Sequence, residues 1–324
     1  MRRIVVAALV IAIASCDATT APAAIPANPD DVMFVTADIT HFWNAYDAGG
    51  KNGDTAAFRR IYFDSASSGL KDFISSRALT PLRLAQMVQA YPRYFASIRA
   101  TNLRYTANDA VVTRVRANFT AIKALYPPAV FPPVTFLVGR FSSGGTTAAS
   151  GMLIGTEFYS LAPGTPTDEL TPFARDNVHA LDSIPMIIAH EHTHILQAHA
   201  GGIFGKRNAT LLEQSLTEGS ADFVGELVSG GNINARIVAY GLAHEADVWA
   251  DFRTQMNGTD VSRWLYNQGT ATGDRPGDLG YFVGYRIAKA YYDGMSDKAQ
   301  ALKDIIEVRD ATAFLTRSGY NPGG

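Results

Sequence analysis

The sequence predicts an α+β fold, mainly α, with a small sheet between helical layers. Two observations carry this. Apolar residues recur at three- and four-residue spacing from about 33 to 127 and again after Ser183, as helices that bury one face require. Between these stretches the period changes, and β-rich runs appear at 134–141 and 151–159. No internal repeat is present.

Taken in order, "ITHFWNAYD", "TAAFRRIYF" and "PLRLAQMVQAY" read as helices, and "NDAVVTRVRANFTAIKALYPP" as a longer one. That longer helix is capped near Asn108 and stopped by Pro127-Pro128. "VTFLVGRF" and "GMLIGTEFY" are separated by "SSGGTTAAS", which reads as a hairpin with a mobile loop. Helices then resume at about 184–199, 208–229, 232–256, 278–293 and 297–307.

The 324 residues are 47% hydrophobic and 18% charged, with a net charge of −2. That balance suits a globular chain with a substantial core. No basic excess points to nucleic acid, so that partner is set aside. The first sixteen residues differ from the rest. Arg2-Arg3 precedes the eleven-residue apolar run "IVVAALVIAIA", too short to cross a hydrocarbon core of roughly 30 Å as a helix. A basic start, a short apolar core and small residues at the end describe an export signal. Ile13-Ala14-Ser15-Cys16 resembles the lipobox of bacterial lipoproteins, which implies lipidation at Cys16 and a membrane tether. The alternative is an ordinary signal peptide cut at another small residue. The organisation expected is thus a lipoprotein signal peptide at 1–16, a flexible Ala/Pro/Thr-rich tether at 17–32, an N-terminal helical region at 33–130, and a core with C-terminal helices at 131–317. The expected location is the bacterial cell envelope.

Cys16 is the only cysteine, so a metal site in the remaining chain must be built from His, Asp and Glu. The candidate is "SIPMIIAHEHTHILQAHAGG" at 183–202, which holds four of the seven histidines. Ser183 is a plausible N-cap, Pro185 suits the first turn, and Gly201-Gly202 can end the helix. His190 and His194, four apart, share a face, and two imidazoles so placed can bind one zinc ion. Glu191, beside the first ligand, can reach a water on that metal without binding it. His192 is turned about 200° away by helix geometry. It is read with His199 as a non-ligand, and His41 and His179 as structural.

A catalytic zinc wants a third protein ligand and an open position. The next helix offers Glu213, Glu218 and Glu226. Glu218 is favoured because Asp222 lies one turn on, where it can accept a bond from the far nitrogen of a ligating histidine. Gly219 and Ala221 are small and would let two helices approach at the metal.

His190-Glu191-x-x-His194 followed by Glu218-x-x-x-Asp222 is similar to the gluzincin arrangement of thermolysin-like and aminopeptidase-like metallopeptidases. With "FLVGRFSSGG", "GMLIGTEFY", "LTEGSADF" and "GYFVGYRIAKAYY", roughly residues 90–295 resemble a family of predicted zinc-dependent proteases that includes bacterial lipoproteins related to gliding-motility factors. The resemblance implies a zincin-like fold with the sheet packed on the active-site helix. It also implies one zinc ion on His190, His194 and Glu218, Glu191 as catalytic base, Asp222 behind the ligands, and a peptide or protein substrate. Gluzincins often take a Tyr or His donor for the oxyanion from a downstream helix, which makes Tyr281 and Tyr285 candidates and His244 a third. The strand "GMLIGTEF" is expected at the sheet edge, antiparallel to an extended substrate. Two other functions remain open at this point: a zinc-binding envelope scaffold without turnover, and hydrolysis of another envelope amide such as a peptidoglycan cross-link.

Overall fold

The computed structural model describes residues 25–106, 109–267 and 274–323. Cys16, the expected export signal, most of the expected tether and the cap expected at Asn108 lie outside the described residues. The chain enters through strand β1 (Phe34–Val35) and helix α1 (Ala37–Asp47). The short helix α2 (Thr55–Ala57) runs into a wide turn at 58–63. Helices α3 (Ser68–Ser76), α4 (Pro81–Ala90), α5 (Pro92–Asn102) and α6 (Ala110–Leu125) follow. Start signals are explicit: Ser67, Thr80 and Asp109 each accept a backbone N–H of the first turn of α3, α4 and α6, satisfying donors that a helix start leaves free. Phe42, Phe58, Tyr62 and Phe95 pack as an aromatic cluster beneath α1, with ring centroids 5.6–6.0 Å from that of Phe42.

The sheet differs from the expected hairpin. Strands β2 (Val134–Leu137) and β4 (Gly151–Gly155) pair in parallel, and β3 (Gly145–Ala148) pairs antiparallel with β4. The order is β1-β2-β4-β3. The stretch read as a mobile loop therefore contains a strand, and that strand, not "GMLIGTEF", forms the edge. The thirteen residues between β2 and β4 are long enough to carry the chain past β4 and back along its far side. Because β1 joins β2, the sheet is shared across residue 130. Every residue of β2 and β4 is buried, whereas β3 is partly exposed, as a strand free on one side should be.

After α7 (Pro172–Asn177) the chain forms α8 (Ile184–Ala200), α9 (Leu211–Ser229), α10 (Ala235–Ala243), α11 (Glu245–Phe252), α12 (Leu279–Gly294), α13 (Lys298–Ile306) and α14 (Ala311–Ser318). The helix expected over 232–256 is two helices broken at His244, whose backbone (φ −129°, ψ 24°) is not helical. Ser183 does not cap α8: it adopts helical backbone inside a leading turn and makes no cap bond. Gly201, in the left-handed region at φ 66°, ends α8, a conformation that favours glycine. Among the described residues no helix is long and apolar enough to cross a membrane.

Candidate metal centre and active-site cleft

Helix α8 lies beneath the sheet, and α9 crosses beneath α8. Small residues set both approaches. A methyl group at Gly145 would stand 2.6 Å from Glu191 Oε1, so β3 passes directly over that carboxylate. A methyl at Gly225 would stand 3.5 Å from the His190 backbone nitrogen, which places Gly225, rather than Gly219, at the α8–α9 contact. Gly219 serves a different neighbour. It meets Gly284 and Tyr285 of α12 so closely that any side chain would strike their backbone.

The three side chains at the centre converge. His190, His194 and Glu218 each offer one ligand atom within 4.8 Å of the others. His194 Nε2 lies 3.1 Å from His190 Nε2 and 3.2 Å from Glu218 Oε2, and His190 Nε2 lies 3.6 Å from that oxygen. The opposite ring nitrogens are committed. His190 Nδ1 is 2.8 Å from Asp222 Oδ1, and Asn234 Nδ2 donates to the other Asp222 oxygen at 2.8 Å. His194 Nδ1 is 2.9 Å from Gln197 Oε1, while Gln197 Nε2 donates to the Thr217 carbonyl at 3.0 Å. That second bond fixes the Gln197 amide, so its oxygen must face His194 and His194 Nδ1 must carry the proton. Both imidazoles are then set to turn an Nε2 lone pair toward one point, where a carboxylate oxygen also lies. Three acceptors so close repel unless a cation or a proton is shared among them. The donor set of two nitrogens and one oxygen, with buried groups behind the imidazoles, fits zinc.

The electrostatics follow the same geometry. Burial alone would raise the Glu218 carboxyl, but the charges and hydrogen bonds of His194 and His190 hold it well below its ordinary value. Burial disfavours charge on His190, yet the bonds to Asp222 and Glu218 outweigh it and push the ring up. Glu191 shows 7% exposure, and burial raises it despite the neighbouring His190 and His194. An elevated carboxyl is better matched to proton transfer near neutrality.

The cluster forms the floor of a cleft of about 1200 Å³ whose roof includes Gly144–Thr147. Residues 154–311 match a family described as "Predicted Zn-dependent protease (DUF2268)". The match takes in the end of β4, all of α8 and α9, and most of the helices beyond. A protein of that kind acts on peptide substrates. No curated protein and no solved structure gives a significant match.

The other sequence candidates separate clearly. Glu213 closes the capping box of α9 with Thr210 and pairs with Lys206. Glu226 binds Asn232 and Tyr285. Neither carboxylate joins the cluster. Tyr281 lines the cleft, its ring stacked 6.4 Å from that of His190. Tyr285 does not: its hydroxyl donates to Glu226 at 3.0 Å and its ring packs on Phe223. One turn along α12 advances the side chain by about 5.4 Å, which carries Tyr285 past the cluster to the level of Glu226. His244 is exposed and folds back on Tyr240, rings 4.1 Å apart, away from the cleft. His192 is a core residue held between Phe119 and Phe131. His179 stacks on Tyr159 at the cleft wall.

Two residues that touch the ligands themselves escaped the sequence reading. Tyr266 donates its hydroxyl to Glu218 Oε1 at 2.8 Å from an irregular segment with no period to flag it. Gln197 did carry a signal, since three residues after His194 is the same helix face.

Proposed function

We propose that the protein is a zinc-dependent peptidase of gluzincin type that hydrolyses peptide bonds with Glu191 as general base. The observation that supports it is the convergence of two imidazole nitrogens and one carboxylate oxygen beside a buried glutamate that binds none of them. A structural metal site has no use for that glutamate. His190, His194 and Glu218 would hold a zinc ion, which when bound would supply Lewis-acid polarisation and a more acidic water. Glu191 accepts the water's proton and returns it to the leaving amine. Asp222 and Gln197 hold the two Nδ1–H groups, so the imidazoles keep one tautomer and one orientation. Tyr281, at the cleft wall, is the remaining sequence candidate for a donor to the developing oxyanion. The edge of β3 offers an extended substrate a row of backbone partners. In this reading the protein is exported and held at the cell envelope by a lipid on Cys16, and membrane fractionation of Cys16→Ser tests that part.

The main test is hydrolysis of casein or a quenched peptide library by protein lacking residues 1–16. Glu191→Gln should retain stoichiometric zinc and lose activity by about a thousandfold or more. Stoichiometric zinc in the wild type with no turnover on any peptide would reject the enzyme and leave a zinc-binding scaffold.

A further inference from the structure

Among the half-buried arginines, Arg77 stands out at the roof of the cleft. It caps the C-terminus of α3, on the sheet face opposite α8. Alternation along β3 shows this: Gly145 points at Glu191, whereas Thr146, its neighbour, points the other way and accepts a bond from Arg77 Nη2 at 2.7 Å. Arg77 also lines the cleft. Its charge also acts on Glu191, lowering the carboxyl that burial raises.

This cation, like half-buried Arg116 and Arg140, has no ion pair among the described residues. Arg99, Arg286 and Arg317 each contact a carboxylate at 2.6 Å. Arg77 has none within 4.0 Å among the described residues, and its Nε is buried without any hydrogen-bond partner. Its backbone carbonyl accepts from a second arginine, Arg140, whose Nε is likewise buried and unpartnered. A partly buried cation with no carboxylate in direct contact forgoes the hydrogen-bonded pairing that would offset its desolvation. Arg236, also on the cleft, is exposed and needs no such account. The Thr146 bond and the end of α3 hold the Arg77 head in place, so a planar fork is already oriented before any ligand arrives.

We propose that Arg77 is a specificity-determining residue that binds a carboxylate of the peptide lying along β3, either an acidic side chain or a free C-terminus. This rests on the peptidase reading of the same cleft. A guanidinium and a carboxylate form paired, charge-assisted hydrogen bonds, and a substrate strand running beside Thr146 passes within reach of that fork. The simpler role, tying down the edge strand and tuning Glu191, would alter the pH profile without any preference for charge.

The experiment uses zinc-loaded Glu191→Gln protein, which should bind peptides without cleaving them, and fluorescence anisotropy with three labelled peptides of one backbone sequence. The first carries Gln and an amidated C-terminus, the second Glu and an amide, the third Gln and a free acid. At least one carboxylate peptide should bind about tenfold tighter than the neutral one, and which one does identifies the source. Adding Arg77→Gln should bring the ratio to within about twofold, and Arg77→Lys should retain part of it because charge remains without the fork. If Arg77→Gln fails to fold, the Arg77→Lys ratio decides. Equal affinity for all three peptides, no binding of any, or a preference unchanged in the variants would overturn the assignment. Failure of the peptidase reading is separate, being judged by hydrolysis with Glu191 intact.

Discussion

Two faces of one helix give three histidines opposite chemistry. His190 and His194 face the cleft and His192 faces the core, yet all three are nearly removed from solvent, at 6%, 8% and 0% exposure. Burial alone therefore does not decide what a histidine does here. The neighbours do. On the cleft side Asp222, Glu218 and Gln197 accept protons or face the free nitrogens, and both rings are pushed up. On the core side Phe119 and Phe131 lie 4.8 and 5.0 Å away, Nε2 meets only the Val130 carbonyl, and burial pushes the ring down to about 4. One face is arranged to hold positive charge and the other to exclude it.

The comparison breaks first on metal affinity. His190→Ala or His194→Ala removes one of three ligands and leaves the Glu218 carboxylate buried against a single imidazole. Zinc binding, measured by competition with a chromophoric chelator, should weaken by about a thousandfold or more. His192→Gln, two residues away, should leave the affinity within about threefold. A comparable loss from His192→Gln would mean that the two faces are not separate.

Acid separates them next. The folded His192 titrates near 4 against an ordinary value of 6.5, so between those values the unfolded chain takes up a proton that the folded chain refuses. Stability from this group is whole above about pH 6.5 and is lost as the pH falls toward 4. The full loss is on the order of 3 kcal/mol. His192→Gln keeps a donor for the Val130 carbonyl but cannot titrate. In urea unfolding with chelator present throughout, the drop in stability from pH 7 to 4.5 should be smaller in the variant by roughly 2 kcal/mol. An unchanged drop would show that the ring protonates without opening the core.

The same contrast explains what could be read from sequence. His190, Glu191 and His194 lie within five residues on one helix, so their geometry follows from the helical period alone. Glu218 and Asp222 repeat that logic on α9, and the strongly periodic α8, α9 and α12 lie within a few residues of their expected limits. What was missed came from pairing between distant segments. β3 is "GTTA", a stretch whose two threonines suit a strand but which has no apolar alternation to mark one in its Ser/Gly-rich surroundings, and it is fixed by its ladder with β4. The break at His244 has no proline, and the His244 ring settles instead on Tyr240 one turn back. Tyr266 and Arg77 reach the cleft from a loop and a helix end far away in the chain, where no local pattern marks them.

The smallest effect concerns the two supports behind the ligands, which are unequal. His190 donates to a carboxylate that is itself held by Asn234, while His194 donates to a neutral amide. A bond to an ionised acceptor is roughly twice as strong as one between neutral groups, so Asp222 should matter more to zinc affinity than Gln197. Asp222→Ala should weaken binding by about 10- to 100-fold. Gln197→Ala should cost only about 3- to 10-fold, since water can replace an amide oxygen more nearly than a buried charge. Both variants should leave the ratio of zinc affinity to that of His190→Ala well above one, because each still presents all three ligands. Were Gln197→Ala the costlier of the two, the bond that fixes the His194 tautomer, rather than the negative charge behind His190, would be the stronger support of the centre.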